Sequence, residues 1–216
     1  MSTNVPSGPT IDRDGFDLVV VGASAGGMQA LGFLLPRLPA TFAPAMIIAL
    51  HQPPDATSLL TEIFAERCAL PVHQADDKQP ITGGTVLFAP PGYHTLVEPD
   101  ATIALSLDAP EHFSRPSIDV LFESAAWAAR QNVLGILLTG ASSDGAVGLA
   151  CIQRAGGGAW VQDPHDAEST LMPRSALEQG VPMHVLSLEQ IARGLVELTR
   201  SEHRFTTPTR NNKEPS

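Results

Sequence analysis

The sequence is poor in cysteine and in positive charge, and it holds no long apolar run. Cys68 and Cys151 are its only two cysteines and neither belongs to a C-x-x-C pair. That excludes a disulfide framework and a thiolate metal site, and leaves reduced thiols as the expected state. Thirteen Lys and Arg stand against twenty-three Asp and Glu, a net charge of −10 with no basic run. Nucleic acid and an anionic membrane surface are therefore not the expected partners. No stretch approaches the roughly eighteen apolar residues that span a bilayer, and the N-terminus lacks the basic start and apolar core of a secretion signal. No transmembrane segment and a cytoplasmic location are the expectations. A G-x-x-x-x-G-K sequence followed by Ser or Thr is also missing, which removes the phosphate-cradling loop with its lysine.

What is present is enough apolar residue, 43% of 216, to build a full core in one domain. Residues 1–15 and 202–216 are polar, without apolar periodicity, and read as flexible tails around a domain at 16–201. Short apolar runs at Phe16–Val21, Met46–Leu50, Val133–Leu138 and Gly158–Val161 alternate with helical spacing at Ala25–Pro36, Thr57–Arg67, Ser117–Arg130 and Gly145–Ala155. This rhythm predicts an α/β fold: a doubly wound, mostly parallel sheet between two helical layers. Between them, Val72–Ala75, Thr85–Ala89, His94–Glu98 and Thr102–Leu107 are separated by Gly and Pro turns, which predicts an insertion of antiparallel hairpins. Two further helices are expected at Pro173–Gly180 and Ser187–Arg200, with His184–Leu186 as a strand between them and Ser187 as an N-cap.

The most informative segment is Gly22-Ala23-Ser24-Ala25-Gly26-Gly27, directly after the first strand and before a helix. Small residues on both sides of Ser24 permit a sharp turn that projects its hydroxyl from the strand end, as a serine nucleophile requires. Tight packing or a phosphate-binding turn would use similar letters. A dinucleotide fingerprint, however, wants Gly at position 24 and an acidic residue closing the next strand, where this chain has His51. Reactive groups in open α/β sheets gather at the carboxyl ends of the strands. His51 ends the second expected strand and is the candidate base; its alternative is a polar rim residue. Asp144 follows the strand ending near Leu138 and could orient an imidazole; its alternative is a helix cap. Ser24, His51 and Asp144 together supply nucleophile, base and orienting carboxylate. Their chain order differs from the Ser-Asp-His order of α/β-hydrolases.

These residues resemble the chemotaxis protein-glutamate methylesterases, in particular their CheB-type catalytic domain. The resemblance runs from about Asp17 to Arg200 through Val21 to Gly27, His51-Gln52-Pro53, Ala89 to His94, Arg115 to Phe122, Leu138-Thr139-Gly140 through Asp144-Gly145-Ala146, Gln162-Asp163 and Met172-Pro173-Arg174. It implies hydrolysis of γ-glutamyl methyl esters on chemoreceptor helices with release of methanol, deamidation of glutamine at similar sites, no cofactor, and a triad of Ser24, His51 and Asp144. The backbone N–H groups of Ala25 and Ala141 are the expected oxyanion donors. The family pattern Thr-Gly-Met-Gly is here Thr139-Gly140-Ala141-Ser142, which keeps a backbone donor but loses a Met side chain and a glycine. Family members often carry a receiver of about 120 residues ahead of the catalytic domain, a length that suits a separate core. Only some fifteen residues precede the first expected strand, so the expectation is a catalytic domain without its receiver: constitutively open, gated by a separate regulatory protein, or a piece of a longer chain. A non-catalytic adaptor of the same fold, a nucleotide-binding module, and a hydrolase of another ester or amide are the competing readings. His94 is read as a packing residue near the rim, outside the triad. Asp163, His165 and Asp166 are read as a solvated loop rather than a metal site, and Arg115 and Arg174 as rim contacts.

Overall fold

The computed structural model describes residues 16–52 and 59–198. Both expected tails, Pro53 and Pro54, and the ends of two expected helices at Thr57 and Arg200 lie outside the described residues. The elements are β1 (Leu18–Ala23), α1 (Gly27–Leu34), β2 (Ala45–Leu50), α2 (Leu60–Ala65), β3 (Val72–Gln74), β4 (Val86–Phe88), β5 (His94–Val97), β6 (Ile103–Ser106), α3 (Ile118–Ala129), β7 (Val133–Leu137), α4 (Ala146–Arg154), β8 (Gly158–Gln162), α5 (Leu171–Leu177), β9 (His184–Leu186) and α6 (Leu188–Glu197). Seven strands form one parallel sheet in the order β3-β4-β2-β1-β7-β8-β9, and β5 pairs with β6 in an antiparallel hairpin. Among the described residues, no helix is long and apolar enough to cross a membrane.

The expected insertion of antiparallel hairpins is half corrected. Among the described residues only β5 and β6 form one, while β3 and β4 are parallel members of the main sheet. Val86, Leu87 and Phe88 are all buried, the continuous apolar run of a strand covered on both faces rather than the alternation of a half-exposed hairpin. The segment linking β3 to β4 crosses against the β6 side, where Lys78 N–H donates to Ile103 O at 2.8 Å and Ile81 N–H to Ala101 O at 2.8 Å. That detour lets β4 return parallel between β3 and β2.

Helix boundaries follow local chemistry. α1 begins at Gly27 because Gly26 adopts a left-handed φ of 78°, which ends the turn after Ser24 and which a residue with a Cβ would resist. α5 begins two residues before Pro173, since a proline in the first turn lacks only an N–H that would have no helical partner. Ser187 caps α6 in a full capping box with Gln190.

Strand parity sorts the core. Val19, Val21 and Ala23 of β1 and Met46, Ile48 and Leu50 of β2 face one cluster with α1, α2 and α6. Leu18, Val20, Ala45, Ile47 and Ala49 face the other, with α3, α4, α5 and the hairpin. Where α3 starts, the sheet is stripped of side chains. A Cβ on Gly22 would run into Ile118 Cγ2, and one on Gly145 would lie 2.5 Å from the same atom. Ile118, the first residue of α3, is thus seated over two glycines at the carboxyl rim of the sheet. Further along, Gly148 of α4 brings the two helices into contact, and its N–H donates to Asp119 Oδ1 at 2.6 Å.

Asp119 is buried on α3, and burial pushes its carboxyl up to about 6; the nearby Asp144 and Glu123 add to the rise, while the Gly148 N–H and His112 oppose it. An unfolded aspartate titrates at about 3.9. Between about pH 4 and 6 the native state therefore holds the extra proton, and stability from this group falls as pH rises through that window. Asp119→Asn keeps an acceptor for Gly148 and removes the titration. Its Tm relative to the parent should rise by several °C between pH 4.5 and 7, at roughly 2–4 °C per kcal/mol for a chain of this size. Thermal melts across that range check this; a difference that stays flat would mean Asp119 ionises as an ordinary aspartate.

Candidate active site

Ser24 is the first residue past β1 and His51 the first past β2. The register pairs Ala23 with Leu50, and His51 N–H continues the ladder by donating to Ala23 O at 3.0 Å. Adjacent strands lie about 4.8 Å apart, so the two residues leave the sheet side by side. Ser24 shares the parity of Leu18 and Val20, and His51 that of Ala45, Ile47 and Ala49, so the pattern directs both toward the α3 face.

The turn around Ser24 is pinned from the far side by β7. Ser24 N–H donates to Thr139 O at 3.0 Å, and Thr139 Oγ1 donates to Ala25 O at 2.9 Å. Thr139 is in turn held by Gln162, whose Oε1 accepts its N–H at 2.9 Å. Gly140 sits close against its neighbours: a Cβ there would lie 2.5 Å from Met172 Cε, which would have to shift, and 3.0 Å from Ser24 Cβ. Among the described residues, the N–H groups of Ala25 and Ala141 donate to no acceptor, and both residues are exposed at the rim.

His51 Nε2 and Asp144 Oδ2 are 2.8 Å apart. Asp144 is fully buried, and four donors meet its two oxygens. Oδ2 accepts from His51 Nε2–H and from Ile118 N–H at 2.7 Å. Oδ1 accepts from Ser117 Oγ–H at 2.9 Å and Asp119 N–H at 2.8 Å. Burial alone would push this carboxyl up, but the bonds from His51, Asp119 and Ile118 and the imidazole beside it outweigh burial and hold it below its ordinary value. The helix-cap alternative for Asp144 is therefore realised on α3, which comes from elsewhere in the chain, and the carboxylate still reaches the histidine. α4, next to Asp144 in sequence, is capped by Gly145 with φ 90° and no side-chain bond. At the position where the family pattern has glycine, Ser142 Oγ accepts Asp144 N–H at 3.1 Å and helps fix the loop.

With Nε2–H committed to Asp144, Nδ1 is the ring nitrogen left with a lone pair. Ser24 Oγ makes no hydrogen bond among the described residues; Ser114 Oγ stands 3.4 Å from Nδ1. Ser114 was not legible beforehand, because residues 107–115 carry no periodicity. That loop lies over the site, with His112 Nε2 3.3 Å from Asp119 Oδ2 and Arg115 donating to Leu107 O and Asp108 O at 2.9 Å each. Arg115 is thus a loop brace, while Arg174 is exposed on α5.

Donor atoms of His112, Asp119 and Asp144 lie within 4.8 Å of one another. They fit a cation poorly, since both Asp144 oxygens and Asp119 Oδ1 already accept protein hydrogens. The loop at 163–166 is spent on its own turns: Asp163 Oδ1 accepts His165 N–H at 2.8 Å, and Asp166 Oδ2 accepts from Gln162 Nε2 and Leu188 N–H.

A family model described as CheB methylesterase matches residues 19–195. A protein of Leptospira interrogans is 42% identical over 186 residues, covering 86% of this chain and 96% of its own. One of Symbiobacterium thermophilum, named protein-glutamate methylesterase/protein-glutamine glutaminase, is 38% identical over 175 residues, 81% of this chain but 48% of its own. The chain therefore spans nearly all of the first relative and about half of the second. The crystal structure of the Thermotoga maritima CheB methylesterase catalytic domain matches with a TM-score of 0.81 at 27% identity, over 85% of this chain and 98% of that one. The fold, the rim geometry and these matches agree, and the chain belongs to the CheB methylesterase family.

Proposed function

We propose that this chain is a serine hydrolase that removes methyl groups from γ-glutamyl methyl esters of chemoreceptors, with Ser24 as nucleophile, His51 as base and Asp144 as its orienting partner. The observation that carries this reading is the 2.8 Å bond between His51 Nε2 and a buried, ionised Asp144, beside a serine that shares the rim of an adjacent strand. It is the arrangement that a weak hydroxyl nucleophile needs. The catalytic domain occupies residues 16–201 and acts in the cytoplasm on receptor helices.

Asp144 fixes the tautomer with the proton on Nε2, so Nδ1 takes the Ser24 proton as Oγ attacks the ester carbonyl. The imidazolium formed is stabilised by the carboxylate beside it. Negative charge on the former carbonyl oxygen falls to the N–H groups of Ala25 and Ala141, each worth about 3 kcal/mol in comparable sites. Collapse expels methanol, which leaves with the proton from Nδ1. Water then attacks the glutamyl-enzyme, giving its proton to Nδ1, and Ser24 departs with that proton to leave a free glutamate. Catalytic hydrogen bonds of this kind are often unformed before substrate binds. The same sequence with an amide releases ammonia from glutamine, the second activity in the names of the relatives.

Methanol release from methylated chemoreceptor membranes tests the esterase reading. Ser24→Ala, His51→Ala and Asp144→Asn should each lower kcat by about 10³-fold or more, and a double variant should lose little beyond its worse member, because the residues act as one unit. Multiplying losses would break the triad. Ammonia release from receptors bearing glutamine at the same sites should fall in parallel with Ser24→Ala; deamidation that survives this change would assign it to other residues.

A further inference from the structure

His94 opens β5 and is 2% exposed, with both ring nitrogens bonded to backbone. Ser117 N–H donates to Nδ1 at 3.1 Å, so Nδ1 carries a lone pair. The proton is then on Nε2, which donates to Ala109 O at 3.1 Å. One neutral ring thus joins the start of α3 to the loop over the site.

The first bond answers a need specific to α3. In a capping box an N-cap residue's own N–H is met by a Glu or Gln at the third helical position, as Gln190 does for Ser187 at α6. In α3 that position is Val120, which has nothing to offer, and Ser117 is completely buried. His94 supplies the missing acceptor from another element. Ser117 then points Oγ–H at Asp144 Oδ1, next to the Ile118 and Asp119 N–H groups that complete the carboxylate's shell. The second bond holds Ala109, in the loop that carries Ser114 to within 3.4 Å of His51 Nδ1.

We propose that His94 is a positioning residue for the hydrolysis: it fixes the α3 N-terminus that holds Asp144 on one side of the His51 ring, and the loop that presents Ser114 on the other. The assignment to catalysis rests on the proposed triad, whereas the geometric claim can be read without substrate.

Two substitutions divide the roles. In His94→Asn the side-chain oxygen can take the place of Nδ1 and accept from Ser117; in His94→Gln the amide nitrogen can take the place of Nε2 and donate to Ala109. In the parent, ¹⁵N–¹H correlation spectra should show His94 as the tautomer with Nε2 protonated and Nδ1 bare, and a low-field proton for His51 Nε2–H shared with Asp144. That low-field signal should persist in His94→Asn and broaden or move upfield in His94→Gln. On methylated receptor membranes, kcat should stay within about threefold of the parent for His94→Asn and fall tenfold or more for His94→Gln, with KM within twofold in both. A parent His94 protonated at Nδ1 would overturn the proposal, whether or not either variant folds. So would a His94→Gln protein with an unchanged low-field proton and kcat, or equal losses in both variants that simply follow the fraction folded. Should the parent hydrolyse nothing, the triad reading fails while the resonances still decide the role of His94.

Discussion

A single buried charge organises the carboxyl rim of the sheet. Asp144 is shut off from water, and an ionised carboxylate in that position is tolerable only if its lone pairs are met. Three of its four donors come from residues 117–119 at the first turn of α3, where free N–H groups and the helix dipole favour an anion. The fourth is His51. The carboxylate is thus held to α3 more tightly than to its own neighbours, and whatever sets the position of α3 also sets the position of the imidazole. Gly22 and Gly145 let Ile118 settle on the sheet, and Asp119 ties α3 to α4 through Gly148. Glycines and caps usually regarded as scaffolding become determinants of where one proton sits.

The sheet contributes the other constraint. Parallel strands in register deliver their next residues side by side, and the two-residue period decides which face each takes. Ser24 and His51 follow β1 and β2 at equal register, so their proximity needs no dedicated contact between them. Asp144 arrives from the strand on the opposite side of β1, through a loop that must cross to the α3 face. The crossing is where the chain invests in special backbone: a left-handed Gly145, Ser142 accepting the Asp144 N–H, and Gly140 pressed against Met172 and Ser24.

These features differ in how far the sequence discloses them. The parallel core and its helices were legible because buried strands are continuous apolar runs and the helices keep their spacing, as in Val133–Leu137 and Ile118–Ala129. Ser24, His51 and Asp144 were legible because each follows a strand, and strand ends in such sheets lie on one rim. The β3–β4 pairing was not, since a glycine pair such as Gly83-Gly84 looks alike before a hairpin and before a parallel strand; only the crossover between them separates the two. Ser114 and the double role of His94 were hidden for a different reason. Their bonds run to backbone atoms or side chains brought close by a loop without periodicity, and no spacing rule encodes a partner of that kind.

The ring orientation at His51 follows from where its partners are anchored. In the familiar serine protease triad, the carboxylate takes the proton on Nδ1 and the nucleophile meets Nε2. Here Asp144 lies on Nε2, the nitrogen farther from the His51 backbone, and the nearer Nδ1 faces the rim. Ser24 springs from the adjacent strand, about 4.8 Å from the His51 backbone, so the near nitrogen suits it. Asp144 is held to the α3 N-terminus and needs the full reach of the imidazole. Swapping the two nitrogens would require either Ser24 to move outward from the strand end or Asp144 to abandon its three α3 donors. The first is opposed by the Ser24 N–H bond to Thr139 O, and the second by the cost of stranding a buried charge. The reversed ring is therefore the orientation this sheet and this helix together permit.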